Sequence, residues 1–478
     1  SQPMSWAQEW YPDAFEGEAP PLKSPPAQHL FNGALTLADW IGSDTDDLFE
    51  MDQTRTDPSA AIEDARRLAL RALEDVGLVV PRDLDTSLPT ILGGYPPYDI
   101  QEAIQSLPAS PDGTLTVLES ATGSGKTEGA LGRYARLLEE ELVDSMYFAV
   151  PTRAAAKELH GRIETARDRM FGEDGPPVHL AVPGYLKVDD VEGTRFGWQV
   201  RWDEDVGRRG WAAESSKRYT ASPIAVGTVD QVLMSALKTP HAHLRLAGLA
   251  RSFLVVDEVH ASSTYMNELL QRVLSLHQDM GGHALLMSAT LGSEARAGFT
   301  GEDMPDFEEA KDQEYPRLTH VNGAALADPD QPDQPGENKK EVSLELKGWA
   351  WKTGAIARRA EQAASEGAHV LVIRNTVKAC QDLFKKVSNR YALRVETQEE
   401  VEVATPHHSR YCAADREKLD ARIERIYGKH EREKNGENRV VRPTEGSVIA
   451  VATQTVEQSL DIDADLLITD LCPMDVLL

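Results

Sequence analysis

The sequence predicts an α/β protein of two parallel-sheet lobes. Three observations predict it. Short apolar runs of strand length alternate with helix-length amphipathic stretches; a glycine-rich loop sits between one such run and a helix; and a second series of the same kind follows an acidic, proline-rich break. Runs that are apolar on both faces belong in a buried parallel sheet with helices on either side. A chain of 478 residues is long enough for two or three domains.

The elements follow in order. Residues 1–28 are acidic and proline-rich, which predicts loop or extended chain. Residues 30–41 form a short amphipathic helix. Asp57-Pro58 reads as a helix start, Asp as N-cap and Pro at the first helical position, with helical spacing to Val76. Residues 81–97 break regular structure. Strands are expected at 115–118, 146–150, 224–226, 253–256 and 284–287, with a helix at 128–138. Within 301–340 the repeat of Asp, Gln and Pro at 328–335 marks a loop near a domain boundary. A helix at 354–365, a strand at 369–373, a helix at 377–387 and strands at 447–451 and 465–469 make the second series, and 427–444 is a charged surface loop.

Composition narrows the class. Hydrophobic residues make up 41% and charged residues 27%, as in soluble globular proteins. No apolar run approaches the roughly 18–20 residues that span a bilayer, so no membrane association is expected, and the start of the chain lacks a secretory pattern. Cys380, Cys412 and Cys472 have no zinc-site spacing and fit a reducing cytoplasm. The net charge of −28 argues against a broadly basic nucleic-acid binder. It leaves room for a strand held in one narrow cleft; general solubility and a saline cytoplasm explain the acidity equally well.

The chemistry starts at Glu119-Ser120-Ala121-Thr122-Gly123-Ser124-Gly125-Lys126-Thr127. Between a strand and a helix, such glycines let backbone N–H groups wrap phosphates, and the helix N-terminus adds partial positive charge. Thr122, Gly123, Ser124 and Gly125 form the cradle, Lys126 reaches the β- and γ-phosphates, and Thr127 ligates Mg²⁺. The strict pattern has Gly where this chain has Ser120. Asp257-Glu258-Val259-His260 follows the strand at 253–256. There Asp257 can hold Mg²⁺ and Glu258 can orient and deprotonate an attacking water. Ser288-Ala289-Thr290 ends another strand.

This order, with Pro151-Thr152-Arg153 and Gly227-Thr228-Val229-Asp230-Gln231 between the loop and 257–260, resembles the first motor lobe of superfamily two helicases. More narrowly it resembles the helicase–nuclease of type I CRISPR systems. The residues that carry the narrower likeness are 226–231, Val451-Ala452-Thr453-Gln454-Thr455-Val456-Glu457-Gln458-Ser459-Leu460-Asp461-Ile462-Asp463 near that family's motif V, and Ala38-Asp39-Trp40-Ile41-Gly42-Ser43 near the last signature of its HD nuclease domain. The resemblance implies two RecA-like lobes. It divides the chain into the tail of an HD domain (1–55), a helical linker (56–90), a first lobe that binds ATP (91–310), a linker (311–345) and an incomplete second lobe (346–478).

The resemblance also assigns roles. Gln101 reads adenine, and Asp461 sits near the ribose. Pro151, Thr152, Arg153, Thr228, Gln231, Asn375, Thr376, His408, Ser409, Arg410, Thr453 and Gln454 contact a single strand through its backbone. His260, Ser288, Ala289 and Thr290 couple hydrolysis to movement. Asp39 is a ligand of the nuclease's divalent transition metal, whose other ligands this chain lacks; only His29 lies nearby. Implied cofactors are ATP and Mg²⁺. Implied partners are single-stranded DNA and a guide-RNA surveillance complex in the cytoplasm, with 3′ to 5′ translocation and degradation of foreign DNA. The family's arginine finger, whose effect is on the order of 10³–10⁵, belongs to a motif beyond Leu478, so a fragment that binds nucleotide and hydrolyses it weakly is expected. An unrelated superfamily two helicase acting on DNA or RNA, and a nucleotide-binding scaffold without turnover, remain as alternatives. Trp198, Trp202 and Trp211 are either a partner surface or the core of an insertion.

Overall fold

The computed structural model describes residues 2–15, 24–44, 57–196, 199–203, 206–259, 264–289, 291–323, 325–327, 329, 331–332, 343–396, 402–428, 446–456 and 464–470. The chain divides into two compact units, Ser1–Gly336 and Glu337–Leu478.

The first unit is built on one sheet. Its parallel core contains β1 (Thr114–Glu119), β2 (Ser145–Val150), β3 (Val178–Ala181), β4 (Ile224–Thr228), β5 (Ser252–Val256) and β6 (His283–Ser288), in the order β1-β6-β5-β2-β4-β3. The period-two alternation of side chains sorts them into two cores. Leu118, Phe148, Val226, Val255 and Leu285 pack on one face with Leu131 and Ile163 of α5 (Lys126–Glu139) and α6 (Arg153–Phe171). Val117, Tyr147, Ala225, Leu254 and Leu286 pack on the other face, with Val232 of α7 (Val229–Leu233) and Val273 of α9 (Thr264–Gln278). Burial on both faces accounts for the unbroken apolar runs in the sequence.

Two segments differ from the sequence-based expectation. Gln2–Trp10 is a helix, α1, not a loop. Trp6 and Trp10 meet within it at a tilt of 54° with ring centroids 5.6 Å apart, and Trp10 Nε1 donates to Pro58 O at 2.7 Å, at the start of α3 (Pro58–Asp75). These contacts are invisible to local proline-rich composition. The stretch 311–345, read as a linker, includes β7 (Arg317–Asn322) and β8 (Ala325–Ala327). β7 lies antiparallel against β1, with Leu318, Thr319 and His320 buried, so the sheet gains an edge pair within the stretch expected to be a linker.

Asp57 caps α3 as expected, its side chain accepting from Ser59 N. Helix α2 (Pro25–Asp44) runs past both ends of the predicted 30–41. It crosses α8 (Ala242–Leu249) closely at Gly33, where a Cβ would lie 2.2 Å from that of Ala247. Ile41, Ala72, Val76 and Trp211 share a small core, and Trp202 Nε1 donates to Glu214 at 3.1 Å. Trp211 and Trp202 therefore anchor the insertion; Trp198 lies outside the described residues.

The second unit holds a parallel sheet in the order β10 (Ile449–Ala452), β9 (Val370–Ile373), β11 (Leu466–Thr469). α11 (Thr353–Ser365) and α12 (Val377–Phe384) cover one face through Ile356, Ala360 and Leu383. α13 (Ala413–Tyr427) covers the other through Leu419 and Ile423. Among the described residues no helix is long and apolar enough to cross a membrane.

Candidate nucleotide site and strand-contact residues

The loop after β1 has the backbone its sequence demands. Gly123 and Gly125 take φ of +77° and +83°, in the left-handed region that favours glycine. A Cβ on Gly125 would also lie 2.1 Å from Gln101 Nε2, so the position is closed to side chains twice over. Gln101 is buried; its amide donates to Gly125 O at 3.2 Å and its carbonyl accepts from Tyr98 N at 2.9 Å. Thr122 and Gly123 are exposed, whereas Ser124 is buried and accepts from Ser120 Oγ at 2.8 Å. Lys126 opens α5 and donates to Ser120 O at 2.9 Å. Exposed loop backbone, a 14-residue helix aimed from it and a lysine held at its base fit the phosphates of a nucleotide.

Asp257 leaves the end of β5, its backbone N–H donating to Ala149 O at 2.9 Å. Burial pushes its carboxyl up to about 6, and the neighbouring Glu258 pushes in the same direction against the pull of Lys126. Glu258 has φ +52°, costly for a residue with a Cβ. Strain of this kind, about 1–3 kcal/mol, tends to collect at working sites. Asp257 and Thr127 are the residues that would hold Mg²⁺ with the nucleotide.

A pH prediction follows. Because folding raises the Asp257 pKa, its contribution to stability is complete below 3.8 and is lost as pH rises through about 6. Asp257→Asn removes a buried charge at pH 8 and nothing at pH 4. Thermal melts without nucleotide should show a gain of about 1–2 kcal/mol, a few degrees, at pH 8 only. Equal gains at both pH values would contradict it.

Ser288 ends β6, beside Glu119 in register. Ser120 N donates to Ser288 O at 2.9 Å, and the Tyr315 hydroxyl donates to Ala289 O at 3.2 Å. His260, Thr290 and Asp461 lie outside the described residues.

Most of the expected strand-contact residues stand at or just after carboxyl ends of parallel strands, where ligands of open α/β sheets bind; His408, Ser409 and Arg410 instead follow the antiparallel strand Glu402–Ala404. In the first unit, Pro151, Thr152 and Arg153 follow β2 and Thr228 ends β4, with Gln231 buried in α7. Thr152 Oγ1 accepts from Ala155 N and so caps α6. In the second, Thr376 caps α12 in the same way, and Asn375 Oδ1 accepts from Gln454 Nε2 at 2.9 Å. Thr453 is buried 3.3 Å from the Thr455 hydroxyl, His408 stacks on Tyr411, and Ser409 and Arg410 are exposed.

Asp39 is exposed on α2, while Trp40 packs 5.0 Å from the His241 ring. Among the described residues no group of three or more His, Cys, Asp or Glu fits a metal ion.

Residues 366–478 match the family model described as CRISPR-associated nuclease/helicase Cas3, C-terminal. The CRISPR-associated endonuclease/helicase Cas3 of Escherichia coli K12 is 33% identical over 476 residues, 95% of this chain and 50% of the relative. The crystal structure of T. fusca Cas3-ATP is 27% identical at a TM-score of 0.70, across 95% of this chain and 51% of that one. The chain is similar to Cas3 nuclease/helicases along nearly its whole length. A chain in the structure titled CRISPR RNA-guided surveillance complex, pre-nicking, is 25% identical at a TM-score of 0.59, covering 97% of this chain and 50% of that one. The chain spans about half the length of the Cas3 relatives it matches.

Arg296 carries no mark in the sequence. It is one more arginine on an amphipathic helix, α10 (Ser293–Thr300), yet its side chain is only 2% exposed. The signal lay in Glu119, an acid at the end of an apolar strand, which needs a buried partner.

Proposed function

We propose that this chain is the ATP-driven motor segment of a Cas3 nuclease/helicase. It translocates on single-stranded DNA and feeds it to an HD nuclease, after recruitment to a type I CRISPR surveillance complex. The observation that carries the reading is the phosphate loop: Gly125 in a conformation closed to side chains, Lys126 at its base, and the charge-burdened Asp257 on a nearby strand end within reach of the lysine's field. ATP-bound Cas3 among the similar structures supports the cofactor, and the similar chain in a CRISPR RNA-guided surveillance complex supports the partner. Arg153, exposed just after β2, and Arg410, exposed after the strand Glu402–Ala404 of the second unit, are the cations that meet backbone phosphates. The cytoplasm is the compartment.

The test is fluorescence anisotropy with labelled single-stranded DNA and RNA of the same sequence, with and without a non-hydrolysable ATP analogue and Mg²⁺. DNA binding that nucleotide shifts by about fivefold or more supports the proposal. A preference for RNA, or no single-strand binding, overturns it. Arg153→Ala and Arg410→Ala should each weaken binding evenly across sequences and lower the salt slope by about 0.7–1. An unchanged slope would remove that residue from the track.

A further inference from the structure

Arg296 sends every side-chain nitrogen to a different acceptor. Nη1 donates to Glu119 Oε2 at 2.5 Å, Nε to Glu302 Oε1 at 2.5 Å, and Nη2 to Gln313 Oε1 at 2.6 Å. Arg317 closes the group at 3.6 Å from Glu302. The other oxygen of Glu119 accepts from Gly292 N at 3.3 Å, immediately before α10. Both carboxylate oxygens of Glu119 are therefore held by the segment that follows β6. Glu119 is the last residue of β1, and the next residue, Ser120, accepts from Lys126 Nζ. Two covalently joined residues thus separate the loop lysine from a helix whose sequence lies far away.

A purely architectural role accounts poorly for this choice of residues. Desolvating an arginine and two acids offsets most of their mutual attraction, and an apolar cluster of similar volume would hold a strand end as well. Buried charge groups favour one arrangement over others, and here Glu119, joined directly to the loop, is one of the group.

We propose that Arg296 is a positioning residue that ties the phosphate-binding loop to α10, so that nucleotide on the loop restrains the segment following Ser288-Ala289. This rests on reading 119–127 as the nucleotide site. The link runs through Glu119: a change in the loop moves its carboxylate, and the planar guanidinium passes that movement to α10 and to the 302–317 segment. Lysine at 296 keeps the charge but not the fork that serves three acceptors at once.

The test is amide hydrogen exchange on the chain with and without saturating ADP·Mg²⁺, followed in peptides covering 119–127 and 293–300. In the unsubstituted chain nucleotide should slow exchange in both regions, by about fivefold or more in α10. Glu119→Gln together with Arg296→Met replaces the charged pair by a neutral one and guards against unfolding; thermal melts check that it folds. In this double variant, and in Arg296→Lys, the loop should still be protected while the response in α10 falls below about twofold. A structural role alone would shift the melting point and leave the nucleotide response of α10 intact; that result overturns the proposal. An unsubstituted chain protected at the loop but not at α10 also overturns it. No protection at 119–127 in the unsubstituted chain overturns the nucleotide reading instead, and the link with it.

Discussion

Lys126→Ala weakens nucleotide binding by roughly 30- to 150-fold, corresponding to about 2–3 kcal/mol for lost charge-assisted hydrogen bonds. The side chain is 8% exposed and bonded to Ser120 O, so it is held at the base of the loop instead of sweeping through solvent. Such restraint lowers the conformational entropy lost when the ammonium engages a phosphate. Removing it leaves the loop's N–H groups and the α5 N-terminus to act alone. Titration with a fluorescent ATP analogue reads the change directly. Affinity within about threefold of the unsubstituted chain would sink the assignment of Lys126 and favour a scaffold that tolerates nucleotide without using it.

Phe148→Ala costs the first unit about 3–5 kcal/mol. Phe148 is 0% exposed in β2, hydrogen-bonded between β5 and β4, and its ring fills the core face with Leu118, Val226 and Val255. A close-packed site between sheet and helices collapses little around a missing ring, so the transfer loss and the cavity add. Whole-domain stability is typically about 5–15 kcal/mol, which makes this a large fraction. Urea melts followed by tryptophan fluorescence should move about 1–2 M lower at the midpoint. A shift under about 0.3 M would mean that the ring is not packed as described.

Much of the fold was legible in the sequence because its signals are local. The strand at 114–119, the loop, and the helix from Lys126 follow from an apolar run, glycines at fixed offsets and amphipathic spacing. The strand ends carrying Asp257, Ser288, Thr228 and Thr453 were equally local, and each falls at the carboxyl end of a parallel strand. The alternation that sends Phe148 to one core and Tyr147 to the other is readable once a strand is recognised, although not which face meets which helix.

Two α/β units, and the position and backbone conformation of the glycine-rich loop at 119–127, were readable from the sequence, since backbone conformation and side-chain period depend on residues a few positions apart. Tertiary structure decided the rest. It added the antiparallel β7 to the sheet edge within a stretch expected to be a linker, and turned an acidic, proline-rich start into a helix fixed by Trp10 on Pro58. It committed the Thr152 and Thr376 hydroxyls to helix caps. It also placed Arg296 on Glu119 across 177 residues of chain. A partner that distant leaves no period or spacing behind it. What marks it is a charge that burial would make untenable alone, and only the folded chain says which opposite charge makes it tenable.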